Sequence, residues 1–295
     1  MQNDESRVTN EARNPRPAVS TLHLPHMLPP ILSIAGSDNS AGAGAQADLK
    51  TMSALGTYGL TAITCVVAEV PGKVSAIQAI APEIVAAQIR LLFEAFPIAA
   101  VKTGMLYSRE IVATVCDTLE ECFGKMAVRP PLVVDPVMVA TSGDSLLKAD
   151  AVALYRERLF PLATVVTPNL DEAQVLLGRR IASVGEMRVA GIELAAQFGT
   201  HFLLKGGHLR TAAATDLLCG RDGVEEFTAP FVEGVSTHGT GCTYSAAIAA
   251  GLGRGLGLRE AVAEAKTLVT RAITHFLRWE RPGGTTDALH HFARP

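Results

Sequence analysis

The sequence predicts an α/β protein built from strand–helix–strand units, on three observations. Short apolar runs alternate with longer stretches of helical periodicity along the chain. The runs are continuous rather than alternating, as in a parallel sheet covered on both faces. Each run also ends in glycine, proline or a polar residue.

The first strand is "PILSIAG" (30–36), followed by a glycine-rich turn and a helix starting near Ala45. "LTAITCVVAE" (60–69) is the second strand, and residues 82–95 open a helix with Pro82 and Glu83. "IAAVKTG" (98–104), "PLVVDPV" (131–137), "TVVTPN" (164–169) and "HFLLKGG" (201–207) continue the strand series. Residues 215–232 break the rhythm and read as a hairpin turning at "RDG". Residues 258–278 place Leu258, Val262, Ala265, Leu268, Val269, Ala272, Ile273 and Phe276 on one helical stripe. No repeat or second domain stands out, so residues 30–295 read as a single domain and residues 1–29, polar and proline-containing, as a disordered tail.

The chain has 295 residues, 48% hydrophobic and 19% charged, with a net charge of −3. That supports a sizeable core and gives no basic footprint for nucleic acid or an anionic membrane. The tail has no continuous apolar segment, and Asp4, Glu5 and Glu11 argue against a transit peptide. No apolar run reaches a membrane span. The five cysteines are scattered, with no C-x-x-C pair, which fits a reducing cytoplasm.

In parallel sheets, ligands bind outside the carboxyl ends of the strands. Here those ends carry Gly36-Ser37-Asp38, Glu69, Lys102-Thr103-Gly104, Asp135-Pro136, Pro168-Asn169 and Lys205-Gly206-Gly207-His208. Their convergence predicts one enzyme site along one edge.

Four segments suggest chemistry. "GAGAQA" (42–47) matches a dinucleotide fingerprint, but "SDNSA" separates it from the preceding strand, where that fingerprint needs the glycines at once. The alternative is a tight turn into a helix, with Asp48 in the first turn facing the site. In "HGTGCTYSAAIAAG" (238–251), Gly239 and Gly241 permit a nest of backbone N–H groups at a helix N-terminus, suited to phosphate or a developing anion. The plainer reading is a glycine turn before a helix whose Ser245, Ala246, Ala247, Ala249 and Ala250 pack close to the sheet. Cys242 lies in that helix's first turn, where the dipole lowers a thiol pKa, so a nucleophile is conceivable; its base would be His238, which the sequence does not place. Asn169 and Glu172 share a helix face and, with Asp135, form an oxygen-rich set suited to Mg2+, or else simply cap that helix. Lys205 before two glycines can neutralise phosphate, or be a solvated lysine beside a turn; Lys102 has the same ambiguity. The histidines form no H-x-x-x-H pattern, and "LHHF" near the end reads as structural.

In order, "IAGSDNSAGAGAQADLKTMSALGTYGLTAIT", "VKTGML", "VVDPVM…TSGDSLL", "VTPNLDEAQVLLG", "LLKGGHL" and "HGTGCTYSAAIAAGL" resemble the hydroxymethylpyrimidine/phosphomethylpyrimidine kinases of thiamine biosynthesis, in the ribokinase-like superfamily. The resemblance covers residue 30 to the end. It implies a three-layer α/β/α fold with a mostly parallel sheet, a homodimer, and phosphorylation of an aminopyrimidine with ATP and Mg2+. It implies a pyrimidine pocket at Gly36, Ala43, Asp48, Val67, Glu69, Met105 and Cys242. Nucleotide and Mg2+ contacts fall on Asp135, Asn169, Glu172, Lys205 and Thr237, and the anion hole on Gly239, Thr240, Gly241 and Cys242. The nicotinamide reading falls away.

One position departs from the family, which has "AQN" where this chain has Ala68-Glu69-Val70. A carboxamide both donates and accepts toward an aminopyrimidine edge, whereas an ionised carboxylate only accepts. Glu69 therefore implies either a shared proton in the pocket or a substrate preference moved toward the monophosphate. Sugar kinases of the superfamily carry aspartate where Cys242 stands, which leaves the base open between a thiolate and the phosphate itself. The neighbouring alternatives are a pyridoxal kinase and a non-catalytic relative. The segment 140–147, "ATSGDSLL", is the lid candidate.

Overall fold

The strands are β1 (Pro30–Asp38), β2 (Tyr58–Val70), β3 (Lys73–Ala79), β4 (Ala100–Thr103), β5 (Leu132–Val134), β6 (Val165–Val166), β7 (His201–Lys205), β8 (Ala213–Gly220) and β9 (Gly223–Pro230). In this computed structural model they form one sheet in the order β3-β2-β1-β4-β5-β6-β7-β8-β9. The structure describes residues 27–138, 149–209, 213–235, 238–282 and 284–293. The lid candidate 140–147, Thr237 and residues 1–26 of the expected tail lie outside the described residues.

In the sheet order every pairing from β2 through β7 is parallel, and the pairings β3–β2, β7–β8 and β8–β9 at the two margins are antiparallel. The carboxyl ends of β1, β2, β4, β5, β6 and β7 therefore share one edge. Helices cover both faces. On one lie α1 (Gly44–Ala54), α8 (Thr240–Gly253) and α9 (Leu258–Thr274), packed on Ile31, Ala100, Val133, Val165 and Leu203. On the other lie α2 (Pro82–Ala95), α3 (Arg109–Gly124), α6 (Leu170–Leu177) and α7 (Val184–Phe198), packed on Leu32, Val101, Leu132, Val166 and Phe202. Successive strand residues point to opposite faces, so β1, β4, β5, β6 and β7 each feed both cores, as their unbroken apolar runs require. Between β5 and β6, α4 (Ala149–Leu154) passes through a π-helical turn (Tyr155–Leu159) into the single turn α5 (Phe160–Leu162).

The expected strands, the helix at 82–95 and the hairpin turning at Arg221–Asp222 are all present. Three elements differ. The stripe at 258–278 stays helical only to Thr274, and Leu277–Arg281 instead forms β10, paired with β11 (Gly284–Ala288) in a separate ribbon. The apolar stripe ran on through Phe276, while the chain turns because the tail that follows docks on the helices: His290 N–H donates to Ala272 O at 3.1 Å. The strand β3 is the second difference, unforeseen because its residues are mostly exposed and carry no core pattern. Third, α1 begins at Gly44, so Asp48 lies in its second turn rather than its first.

Two sites of close packing test this architecture. A Cβ on Gly251 of α8 would sit 2.9 Å from Ala261 Cβ and 3.1 Å from Ala261 Cα, so glycine lets α8 and α9 meet backbone to backbone. Gly251→Val should cost about 1–3 kcal/mol by overpacking, read as a lowered denaturation midpoint at unchanged m. His291 is 4% exposed and bonds Thr243 Oγ1 at 3.0 Å; burial pushes its pKa down to about 4. A depressed histidine stabilises the fold above its unfolded value of 6.5 and loses that contribution as the pH falls through 4. Stability should thus decline across that window, and His291→Phe should flatten the decline in pH-dependent denaturation.

Candidate active site

Two glycine-rich turns meet at the carboxyl edge of the sheet. One, after β1, leads into α1; the other opens α8. A Cβ on Gly239 would fall 1.8 Å from Gly42 O, and Gly239 has φ +82°, so only glycine lets the two backbones touch there. Gly44, at φ +58°, likewise lies against Gly36 O. The segment Gly239–Cys242 thus enters α8 pressed against residues 42–44. The first amides of a helix have no intrahelical carbonyl, so this turn presents donors to the edge.

Two buried lysine–aspartate pairs flank it. Lys102 of β4 points to the α1–α8 face, because Ala100 two residues earlier lies in that core. Its ammonium donates to Asp48 Oδ1 and Oδ2 at 3.0 and 2.8 Å, and Ser33 donates to the same carboxylate at 2.5 Å. Lys102 and Asp48 are both 0% exposed. Burial works against the Lys102 ammonium, but the Asp48 carboxylate more than offsets it and holds Lys102 above its ordinary range. Asp48 therefore lies beneath the pocket surface as a partner for Lys102 and Ser33.

The second pair is Lys205 with Asp135, at 3.1 Å. Asp135 also accepts from Thr167 at 3.4 Å on Oδ1 and from Ser245 at 3.2 Å on Oδ2. A Cβ on Gly241 would lie 3.2 Å from Lys205 Nζ and 3.5 Å from Asp135 Oδ2. The missing side chain leaves a small cradle bounded by an ammonium, a carboxylate oxygen and the start of α8. An anionic oxygen fits against the ammonium and the amides, and a cation against the carboxylate.

Asn169 and Glu172 form a full capping box on α6: Glu172 N–H donates to Asn169 Oδ1 at 2.9 Å, and Asn169 N–H donates to Glu172 Oε2 at 2.8 Å. Met138 N–H donates to Glu172 Oε1 at 3.4 Å. The capping reading of this pair is therefore realised, and it brings Asn169 beside Lys205, whose backbones form a parallel bridge. Glu172 is 3% exposed, and its burial, against the pull of Lys205, pushes its carboxyl up to about 7.

Does this set suit Mg2+? The donors are carboxylate oxygens, which Mg2+ prefers, and Asp135 Oδ2 faces the Gly241 cradle with one lone pair unused. Among the described residues no three His, Cys, Asp or Glu side chains form a cage for a metal. Mg2+ bound through one or two carboxylates and substrate phosphates needs no such cage. The residues fit an ion of that kind.

Cys242 is half-buried in the first turn of α8. Its thiol is pushed up to about 11 by burial, although Lys102 and the Gly44 amide pull it down. The expected lowering by the helix dipole does not prevail.

On the acceptor side, a Cβ on Gly36 would lie 2.8 Å from Cys65 Sγ and 3.7 Å from Met105 Sδ, so Gly36 and Met105 meet. Val67 pairs with Asp38 in register and is 4% exposed. Ala43 caps α1 and donates its N–H to Asp38 Oδ2 at 2.8 Å. Glu69 follows a bulge in the β2–β3 pairing, and its N–H donates to Asn39 Oδ1 at 2.7 Å. Burial first, then the Asp38 charge, raise the Glu69 carboxyl above the ordinary range, while His238 opposes the rise. Gly36, Ala43, Glu69, Met105 and Gly239–Cys242 thus gather along one edge of the sheet, with Asp135 and Lys205 adjoining. Two surface hollows of about 310 and 320 Å3 elsewhere, bordered by α9 and the β8–β9 hairpin, contain none of these residues.

Sequence reasoning left two contributors unassigned. Ser245 reads as a packing residue but reaches Asp135. Ser33, inside an apolar run, is the second donor to Asp48. The only signal for these was a polar residue inside an apolar or small-residue run. His238, considered as a base for Cys242, pairs instead with Asp38 at 3.3 Å, 200 residues away along the chain.

A family model described as phosphomethylpyrimidine kinase matches residues 38–287. A hydroxymethylpyrimidine/phosphomethylpyrimidine kinase of Rhizobium meliloti (strain 1021) is 48% identical over 264 residues, covering 89% of this chain and 97% of its own. The Escherichia coli (strain K12) protein of the same name is 42% identical over 262 residues, covering 88% and 96%. Among solved structures, a phosphomethylpyrimidine kinase from Clostridium difficile 630 has a TM-score of 0.72 at 40% identity, covering 83% of this chain and 99% of its own. An ADP complex of Bacillus subtilis pyridoxal kinase reaches 0.80 at 33% identity, covering 90% and 98%. With the fold, the two glycine turns and these matches in agreement, the chain belongs to the phosphomethylpyrimidine kinase family of ribokinase-like phosphotransferases.

Proposed function

We propose that the protein transfers the γ-phosphoryl group of ATP to an aminopyrimidine in thiamine biosynthesis, and that its main acceptor is the monophosphate rather than the free hydroxymethyl compound. The observation that carries this reading is the cradle at Gly241, where Lys205 Nζ, Asp135 Oδ2 and the first turn of α8 converge. Phosphoryl transfer needs mainly positioning and neutralisation of charge on the moving group, and this cradle supplies both.

In this reading the amides of Gly239–Cys242 and the Lys205 ammonium receive the transferring group. Asn169, beside Lys205, borders the nucleotide, and the family resemblance assigns Thr237 to the same side. Gly36, Ala43, Val67, Glu69 and Met105 border the ring. Asp135 and Glu172 would hold Mg2+, which supplies charge neutralisation on the nucleotide phosphates. Lys102 and Asp48 act from below, fixing α1 against β4.

The choice of acceptor follows from two groups. A free alcohol must lose a proton as it attacks, and Cys242, with a thiol near 11, is protonated at neutral pH and gives no ready base. A phosphate monoester is already largely dianionic at pH 7, so one of its oxygens attacks phosphorus directly, ADP departs and no base is required. Glu69, where the family carries glutamine, weakens ring recognition unless a proton is shared, and its raised pKa favours sharing.

Purified protein with MgATP should release ADP with a higher kcat/KM on the monophosphate than on the alcohol, and Glu69→Gln should raise the rate on the alcohol. Equal efficiency on both, unchanged in Glu69→Gln, sinks the preference. Pyridoxal as the best acceptor replaces the reading with that of the pyridoxal kinases. Cys242→Ser should slow turnover by less than about 100-fold, the lower bound expected when a true general base is lost. Thiophosphate trapped on Cys242 from ATPγS would instead make it a covalent nucleophile.

A further inference from the structure

His238 stands immediately before the anion turn, yet its partner belongs to the other glycine turn. Its Nε2 lies 3.3 Å from Asp38 Oδ2. Asp38 in turn organises the segment it begins: its carboxylate accepts Ser40 N–H at 2.7 Å and Ala43 N–H at 2.8 Å, and its own N–H donates to Gln46 Oε1 at 3.0 Å. The imidazole also packs on that segment, since a Cβ on Gly42 would come within 3.0 Å of His238 Cδ2. One residue further on, the Gly239 backbone abuts Gly42 O. The Gly44 amide then donates to the Cys242 sulfur. Three successive contacts, at His238, Gly239 and Cys242, thus join the acceptor-side turn to the anion turn, and the first is the ionic one.

We propose that His238, as an imidazolium bonded to Asp38, is a positioning residue that latches the turn 38–44 to the anion turn 239–242 and so holds the amides that receive the transferred phosphoryl group. This rests on the phosphoryl-transfer reading above. The groups facing His238 are Asp38, at the end of β1, and Glu69, at the end of β2. The Asp38 bond raises the His238 pKa, burial opposes the rise, and the charges of Asp38 and Glu69 add to it. Burial opposes the Asp38 carboxylate, but the bonds from His238, Ser40 and Ala43 outweigh it and hold Asp38 at about 2. A histidine raised in this way keeps the latch closed below its folded pKa and releases it as the pH climbs through that value. Glu69 is then tolerated in the pocket because a cation faces it.

The test pairs NMR titration of the His238 imidazole with the pH profile of kcat, in wild type, Asp38→Asn and His238→Gln, with thermal melting as the check on folding. In wild type, His238 should titrate above 6.5, and the alkaline limb of kcat should track the same value. Asp38→Asn should lower both together. His238→Gln, which keeps a donor but cannot titrate, should retain most turnover at pH 7 and lose the limb, with KM for ATP changed less than threefold. His238→Ala should lower kcat at least tenfold. Titration of wild-type His238 at or below 6.5, an alkaline limb unmoved in Asp38→Asn, or a limb persisting in His238→Gln overturns the latch. Wild type that turns over no acceptor overturns the phosphoryl-transfer reading, and in that case the NMR titration alone still decides the ionic pair.

Discussion

The site depends on a charge pair that never meets solvent. Lys102 and Asp48 each have 0% exposure, and they join β4, inside the sheet, to the helix that follows the first glycine turn. A buried ion pair gains little over a well-packed apolar pair, but losing one partner strands a charge at a cost of about 3–5 kcal/mol. The pair is therefore better at fixing geometry than at adding stability. Its consequences reach the neighbours: Gly104 has no room for a side chain because a Cβ would sit 2.7 Å from Lys102 Nζ. Ser33 must interrupt an apolar strand to give Asp48 its second donor.

Lys205 and Asp135 repeat the arrangement on the other side of the α8 N-terminus, with Glu172 as a third carboxylate. Two ammonium groups thus face three buried carboxylates. Burial first, with the Asp135 charge adding to it, pushes the Glu172 carboxyl up to about 7 against the pull of Lys205, so the surplus negative charge sits at this carboxyl. A cation arriving with the nucleotide would relieve that surplus, and an anion arriving alone would meet it. In the proposed reaction, binding of Mg2+ and of the phosphates would be coupled by this imbalance, with no need for a preformed metal cage.

The sheet was legible in the sequence because a strand covered on both faces has to be apolar throughout, and six such runs mark β1, β2, β4, β5, β6 and β7. The α2 helix was legible to the residue through Pro82 at its start. What stayed hidden has a common physical cause. The β3 strand lies at the margin with its side chains in solvent, so its residues carry no burial pattern. The C-terminal ribbon does the same, with all five residues of β10 exposed. Within the site, the pattern "GAGAQA" mimicked a dinucleotide fingerprint for a sound reason, since glycines here too allow backbones to touch; their partner is Gly239 rather than a pyrophosphate. Asp48 was foreseen as facing the site, but helical phase turns it inward to Lys102, and no local signal carries the identity of a partner 54 residues away.

Cys242 illustrates how competing local fields are decided by magnitude. A helix N-terminus stabilises a thiolate, typically by about 0.3–1 kcal/mol when exposed, and Lys102 and the Gly44 amide act in the same direction. Against them, burial removes the thiolate's hydration, and Asp48 and Asp135 add negative potential. Burial is the largest of these effects, and the thiol ends near 11, about two units above its ordinary 9. The lysine that would have activated the sulfur is already committed to Asp48, so its field reaches Cys242 as part of a nearly neutral pair. A site arranged this way has fixed dipoles and cations for a phosphoryl group, while Cys242 itself holds its proton. The proposed preference for an acceptor that arrives already ionised rests on that balance.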